Sequence, residues 1–321
     1  MRTALICGIS GQDGAYLGKL LLEKGYHVVG TSRDSQLSSF DNLERLHIRD
    51  DVERCSMVLS DFRSTLQTLA KVKPDEVYNL AGPSSVALSF EQPIPAVESI
   101  TLGTLHLLES IRFLERPIRL YNASSSECFG DTGSRGGNER TPFFPRSPYA
   151  VAKAAAHWIV NSYRESYCLW AVNGILFNHE SSLRPERFVT RKIVVAACHI
   201  KAGSQTKLRL GNLAIQRDWG WAPEYVDAMW RMMQRDLPDD LVIGTGVIHS
   251  LEEFVSHTFG ALGLRWQDHV ERDNVLIRPS EIMFSKANPA RAEEKIGWKA
   301  KVTMPDVVSK MIDAELQSAA A

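Results

Sequence analysis

Cysteine is scarce and unpaired in this chain. Its five thiols (Cys7, Cys55, Cys128, Cys168 and Cys198) are scattered through 321 residues, odd in number and without a Cys-x-x-Cys spacing. That argues against a disulfide framework and for reduced, mostly buried thiols. Long apolar runs are also missing: none approaches the roughly 18 residues a membrane span needs. An excess of either charge is absent, with 37 basic against 38 acidic residues, so nothing draws the chain to nucleic acid or a lipid surface. Nine histidines fall in no metal-ligating pattern, so no metal is expected. Met1 leads almost directly into an apolar strand, so no secretory leader is expected and a cytoplasmic protein is. The length suits one large or two moderate domains with ample core.

What is present begins at the first residues. Thr3 to Cys7 reads as a buried strand and Ala15 to Leu22 has helical apolar spacing ending at Gly25. Between them lies Gly8-Ile9-Ser10-Gly11-Gln12-Asp13-Gly14. Glycines there let the backbone approach a pyrophosphate, which the free N–H groups of the helix start can bind. A second apolar strand, His27 to Gly30, follows, so the turn is expected to hold a dinucleotide. Beyond it, Arg33 and two neighbouring hydroxyls suit a ribose 2′-phosphate, favouring NADP over NAD, although Asp34 opposes this.

Strands and helices continue to alternate. Glu53 to Leu59 reads as a third strand, placing Asp61 and Phe62 beside an adenine, with Phe62 equally readable as a core aromatic. Arg63 to Val72 is helical, Glu76 to Gly82 is a strand ending near the cofactor, Ser99 to Leu114 an amphipathic helix and Arg119 to Ser124 a strand. This succession predicts an α/β protein, a doubly wound parallel sheet of Rossmann type.

The candidate catalytic residues follow. Ser125 and Glu127 close the last of these strands, where open α/β sheets bind ligands. Tyr149 and Lys153, four apart on a predicted helix, share one face. An ammonium beside a phenol favours phenolate, so Tyr149 reads as a base. Glu127 adds a second acid–base group, which suggests oxidation followed by further chemistry.

At these residues the chain resembles an extended short-chain dehydrogenase/reductase acting on nucleotide sugars, and most closely the GDP-mannose 4,6-dehydratase family. The matching stretches are Gly11-Gln12-Asp13-Gly14, Pro74 to Leu80, Arg146 to Lys153, Gly174 to Ser181, Phe188 to Lys192, Leu210-Gly211-Asn212, Arg217-Asp218-Trp219-Gly220 and Arg278-Pro279-Ser280-Glu281. The resemblance implies that Tyr149 takes the C4 hydroxyl proton of GDP-mannose, Glu127 the C5 proton, and that Ser125 binds the C4 oxygen. It further implies that Leu80, Ala81, Ser84, Leu176, His179 and Arg184 line the cofactor. Ser84, Asn178, Val189, Lys192, Leu210, Gly211, Asn212, Arg217, Arg278 and Glu281 would line the GDP-sugar. A homodimer or homotetramer is implied through helices that include the one carrying Tyr149.

The chain departs from the family at several points. Ser125 stands where Thr is usual, Cys128-Phe129 follows the Glu, Gly82-Pro83-Ser84-Ser85 replaces Ala-Gln-Ser-His, and Pro185 and Trp221 replace Gly and His. Other readings on the same scaffold are a dehydratase of another GDP-sugar such as a manno-heptose, or a 4-keto-6-deoxy-sugar reductase or epimerase. A non-catalytic NADP sensor is a third class. Glu127 opposes a simple reductase or epimerase, and a sensor has little need of all four catalytic side chains. The expected layout is a cofactor domain over residues 1–176, to which later segments return. A smaller, mostly α-helical substrate domain over 177–321 should face it across a cleft.

Overall fold

The computed structural model describes residues 1–320. Seven strands form the main sheet: β1 (Thr3–Cys7), β2 (His27–Ser32), β3 (Glu53–Ser56), β4 (Glu76–Asn79), β5 (Arg119–Ser125), β6 (Ala171–Leu176) and β7 (Leu241–Ile243). Their order is β7-β6-β5-β4-β1-β2-β3, and every pair is parallel. Such a sheet is covered on both faces, which is why β1 and β6 are apolar with little alternation.

The main helices are α1 (Gln12–Glu23), α2 (Phe62–Val72), α3 (Gly103–Leu114), α4 (Pro148–Tyr167), α5 (Val189–Lys201), α6 (Ala222–Met233), α7 (Leu251–Ala261) and α8 (Met304–Ala320). On one face of the sheet Leu17, Leu21, Tyr78, Tyr121 and Met229 form a core, so α6 returns from late in the chain to pack beside α1. On the other face Leu5, Val29, Val77, Leu107, Leu108 and Val160 pack beneath α3 and α4. A third cluster holds Ile193, Ala197, Phe254, Phe259, Val307 and Met311, from α5, α7 and α8, together with Trp219 from a short strand. Each fully buried side chain of this size contributes about 1.5–3 kcal/mol.

Several boundaries differ from expectation. β2 runs on to Ser32 and β3 stops at Ser56, not Leu59. The helix expected from Ser99 begins at Pro93, a residue suited to a first turn, and passes through a π-helical turn (Glu98–Leu102) before α3. Phe62 is 39% exposed, not a core aromatic, and meets His106 edge-on. The later chain also holds three small sheets beside its helices. Asn178–Glu180 pairs with Trp219–Trp221, Leu208–Leu210 with Val270–Arg272, and Gln216–Arg217 lies between His249–Ser250 and Phe284–Ser285. Among the described residues no helix is long and apolar enough to cross a membrane.

Candidate active site

A cleft of about 380 Å³ opens at the carboxyl ends of β4, β5 and β6, between the sheet and the cluster built on α5 and α7. Local sequence aims the catalytic side chains into it. The Ser125 hydroxyl ends β5 by accepting a hydrogen bond from the Glu127 N–H at 3.2 Å, which folds Ser126–Phe129 into a single 3-10 turn. The Ser147 hydroxyl caps α4 by accepting from the Ala150 N–H at 3.1 Å, and Pro148 occupies the first helical position. Tyr149 therefore enters on the first turn and Lys153 on the next, and both are buried. Ser125, Glu127, Tyr149 and Lys153 all line the cleft.

The electrostatics correct one expectation. Burial dominates at Tyr149 and raises its pKa, while the Ser125 hydroxyl and Arg184 pull it partway back. The Lys153 ammonium finds its hydrogen-bond partner elsewhere than on the phenol. It donates to the Ala123 carbonyl at 2.7 Å and lies 5.9 Å from the Tyr149 ring centroid. Burial also lowers the Lys153 pKa to about 8, against the opposing pull of Asp13.

The glycine turn is shaped for a close ligand. Gly8 has φ +86°, a left-handed backbone. A Cβ on Gly14 would lie 2.2 Å from the Gly8 carbonyl oxygen. α1 starts at Gly11 without a side-chain cap, which leaves its first N–H groups open toward an anion. Behind the turn, Gln12 donates to the His179 carbonyl at 3.2 Å and accepts from the Ser181 hydroxyl at 2.8 Å. His179 Nε2 lies 2.8 Å from Asp13 Oδ2, and its Nδ1 lies 2.7 Å from the Phe177 carbonyl oxygen.

Of the expected cofactor residues, Asp13, Leu80, Ser84, Leu176, His179 and Arg184 line the cleft. Gly8, Ser10, Gly11, Gln12, Gly14 and Ala81 form or adjoin the glycine turn; a Cβ on Gly8 would meet Ala81 at 3.1 Å. Arg33 is exposed just past β2. Asp34, also exposed, accepts the N–H groups of Gln36 and Leu37 at 2.9 and 3.1 Å through one carboxylate oxygen, Oδ1. Asp61 caps α2, accepting from the Ser64 N–H at 3.2 Å.

Every expected substrate residue also lines this cleft: Ser84, Asn178, Val189, Lys192, Leu210, Gly211, Asn212, Arg217, Arg278 and Glu281. Arg217 is buried; burial lowers its pKa and the nearby Glu127 carboxylate opposes that. Lys192 donates to the Arg209 carbonyl at 2.8 Å, and Asn212 donates to Glu281 at 3.0 Å. The cleft thus carries an acid–base wall on β5 and α4, with cations among the segments beyond β6.

A model of the GDP-mannose 4,6 dehydratase family matches residues 5–311. The chain belongs to this family. GDP-mannose 4,6 dehydratase 1 of Arabidopsis thaliana is 48% identical over 99% of this chain and 91% of its own length. Among solved structures, dTDP-glucose 4,6-dehydratase (DesIV) from Streptomyces venezuelae, with NAD and TYD bound, superposes with a TM-score of 0.88 at 19% identity, covering 99% of this chain and 98% of that one. RMD from Pseudomonas aeruginosa, complexed with NADPH, superposes with a TM-score of 0.81 at 20% identity over 99% and 100% of the two chains. At these identities the two structures speak for the fold.

In this family member, two contributors to the site escaped the sequence reading. Arg187 lines the cleft beside Val189 and adds a cation. It lies five residues before Lys192 in an Arg-rich run, Arg184-Pro185-Glu186-Arg187, which was the available signal. Asp218, fully buried, accepts from Thr245 N–H and O–H (2.9 and 2.7 Å), Gly246 N–H (2.8 Å) and Ala287 N–H (3.3 Å). It thereby ties its own strand to two segments, at Thr245–Gly246 and at Ala287, that adjoin the strands pairing with Arg217. Only its place next to Arg217 hinted at this.

Proposed function

We propose that this chain removes water from GDP-mannose to give GDP-4-keto-6-deoxymannose, with NADP as a bound and regenerated cofactor. The observation that carries the reading is the convergence of Ser125, Glu127, Tyr149 and Lys153 on one cleft, in a member of a dehydratase family. The glycine turn, the uncapped start of α1 and the cradle at Gly14 fit a dinucleotide pyrophosphate. Arg33, exposed just past β2, supports NADP over NAD.

Held by the glycine turn and the start of α1, NADP would supply reversible hydride chemistry between C4 and C6, so no net oxidant would be consumed. Tyr149 takes the proton of the C4 hydroxyl, and Ser125 hydrogen-bonds the C4 oxygen as its charge changes. A C4 ketone acidifies the C5 hydrogen, which the Glu127 carboxylate removes as a proton. The same carboxyl group then gives a proton to the C6 hydroxyl, which departs as water and leaves a C5–C6 double bond. With hydride restored at C6, C5 would take back a proton, so that the net change is the loss of one water. Lys192, Arg217 and Arg278 bind the diphosphate. Glu127 has no comparable task in a reductase or epimerase.

In this reading residues 1–176 form the cofactor domain and 177–321 mainly the substrate domain. The protein is cytoplasmic and assembles as a homodimer or homotetramer. Exposed Ile94, Val97, Val151 and Trp158, on two helical segments that pack together, support the helix-mediated contact. Incubation of purified protein with GDP-mannose, followed by chromatography and mass spectrometry, tests the function. A nucleotide-sugar product lighter by one water, with no net change in NADPH absorbance, supports it. Unchanged GDP-mannose under conditions where the protein binds NADP contradicts it.

A further inference from the structure

Behind the catalytic face of α4 lies a polar chain that the reaction above does not use. His157 stands one helical turn beyond Lys153, on the face of Tyr149 and Lys153, and is 5% exposed. Its Nδ1 lies 3.3 Å from the Ser124 hydroxyl oxygen, and its Nε2 lies 3.3 Å from the Asn161 amide nitrogen. Ser124 is 3% exposed and is among the residues that line the cleft, beside Ser125.

The partners fix the direction of every hydrogen in this chain. The Asn161 amide oxygen accepts from Arg164 at 2.8 Å and from Asn173 at 3.1 Å. Its NH₂ group is therefore the side turned to His157, and it donates to Nε2. Asp240 does not compete for a proton there: its carboxylate lies 3.7 Å from Nε2, beyond hydrogen-bond range, and is held by Arg164 at 2.7 and 3.2 Å. Burial keeps His157 neutral by lowering its pKa, opposed by Asp240 and aided by Arg164. Among the described residues no charged group is hydrogen-bonded to the ring; Phe143, from the preceding loop, packs edge-on against it. A neutral ring that accepts at Nε2 carries its proton on Nδ1 and donates it to Ser124.

The Ser124 oxygen is thus occupied as an acceptor, and its own hydrogen must be donated elsewhere. Among the described residues the one further partner in reach of that hydrogen is a sulfur. Its competitor is the Cys128 sulfur, whose pKa it draws down and which is a weak acceptor.

We propose that Ser124 is a hydrogen-bond donor to an oxygen of the ligand bound in the cleft, and that His157 is the positioning residue that orients it. The ligand atom is a neutral acceptor, a carboxamide or hydroxyl oxygen of the cofactor or a hydroxyl or carbonyl oxygen of the sugar. The sugar alternative rests on the function proposed above; the cofactor alternative does not.

A double-mutant cycle tests this. Ser124→Ala, His157→Phe and the double variant are compared for the dissociation constant of NADPH without substrate, and for kcat/KM with GDP-mannose. A net hydrogen bond of ordinary strength corresponds to about a 3–10-fold loss. That loss is expected for Ser124→Ala in NADPH affinity if the acceptor is on the cofactor, or in kcat/KM alone if it is on the sugar. His157→Phe should give the same loss in the same parameter, and the double variant no more than the larger single one, because His157 acts through Ser124. A purely structural His157 would instead add its effect to that of Ser124→Ala, and that result overturns the positioning role. Ser124→Ala within twofold of wild type in both parameters overturns the donor role, even if His157→Phe fails to fold. Wild-type protein that binds NADPH but leaves GDP-mannose unchanged refutes the function instead, and the NADPH arm still decides the cofactor alternative.

Discussion

His179 and Asp13, 166 residues apart, face each other at 2.8 Å and tie the segment after β6 to the glycine turn. Burial alone would lower the His179 pKa and raise that of Asp13, but the mutual attraction wins and shifts both the other way. With acceptors at both ring nitrogens, His179 is held as an imidazolium. Because its folded pKa is raised, the stabilisation is complete below the ordinary histidine value of roughly 6.5 and fades as pH rises through the folded value. The lowered Asp13 pKa makes it complete above the usual carboxylate value of roughly 3.9, fading as pH falls through the folded value. His179→Ala should lose about 1–3 kcal/mol of stability, since Asp13 is left without its partner. Urea unfolding across pH should show the deficit at pH 6 and its shrinkage at alkaline pH. A deficit independent of pH would contradict the ion pair.

Cofactor choice is read at Arg33. Its guanidinium is exposed just past β2, while Asp34 holds the Gln36 and Leu37 N–H groups through Oδ1. Arg33→Ala should weaken NADP binding by about 1.5–3 kcal/mol, as for a hydrogen bond to a charged group, and leave NAD binding nearly unchanged. Titration calorimetry with both cofactors decides it. Equal losses would mean that Arg33 does not read the 2′-phosphate.

Gly14→Ala tests the cradle. The new methyl would sit 2.2 Å from the Gly8 carbonyl oxygen and 2.7 Å from the Ile9 Cα, both backbone atoms that a rotamer change does not move. The expected cost is about 1–3 kcal/mol of stability, with loss of cofactor binding. Gly260→Ala, whose methyl meets nothing within 4 Å, is the control. It should gain roughly 0.5–1 kcal/mol within α7. Tight NADPH binding by Gly14→Ala would refute the close approach.

Lys153 carries a pH signature of its own. Its folded pKa of about 8 lies below the ordinary 10.5, so burying its charge opposes folding below about pH 8. That penalty is relieved as pH rises from about 8 to 10.5, because the unfolded chain then holds the extra proton. Wild type should therefore gain stability relative to Lys153→Met over this interval, by urea unfolding at a series of pH values. A constant difference would show that the ammonium is not buried as described.

The alternating strands, the glycine turn and the Tyr149–Lys153 spacing made the sheet and the catalytic wall legible, because each is written in neighbouring residues. What escaped depends on contacts between distant segments. Nothing local says that Asp218 will clamp Thr245, Gly246 and Ala287, or that Asp34 will spend its carboxylate on its own turn. The Lys153–Tyr149 spacing put both side chains on one face of α4, but proximity along a helix does not reveal that the ammonium ends on the Ala123 carbonyl. Phe62 looked apolar enough for the core, but capping by Asp61 starts α2 in a position that leaves the ring 39% exposed.

The fate of one hydrogen tests the central claim most directly. With GDP-mannose deuterated at C4, an internal hydride cycle should deliver the label to C6 of the product, as read by mass spectrometry and NMR. Tyr149→Phe should suppress the first oxidation, whereas Glu127→Gln should allow some C4 oxidation and stop the loss of water. Ser125→Thr, which keeps the hydroxyl, should remain active. Label lost to solvent or retained in NADPH, or full dehydratase activity in Glu127→Gln, would contradict the account.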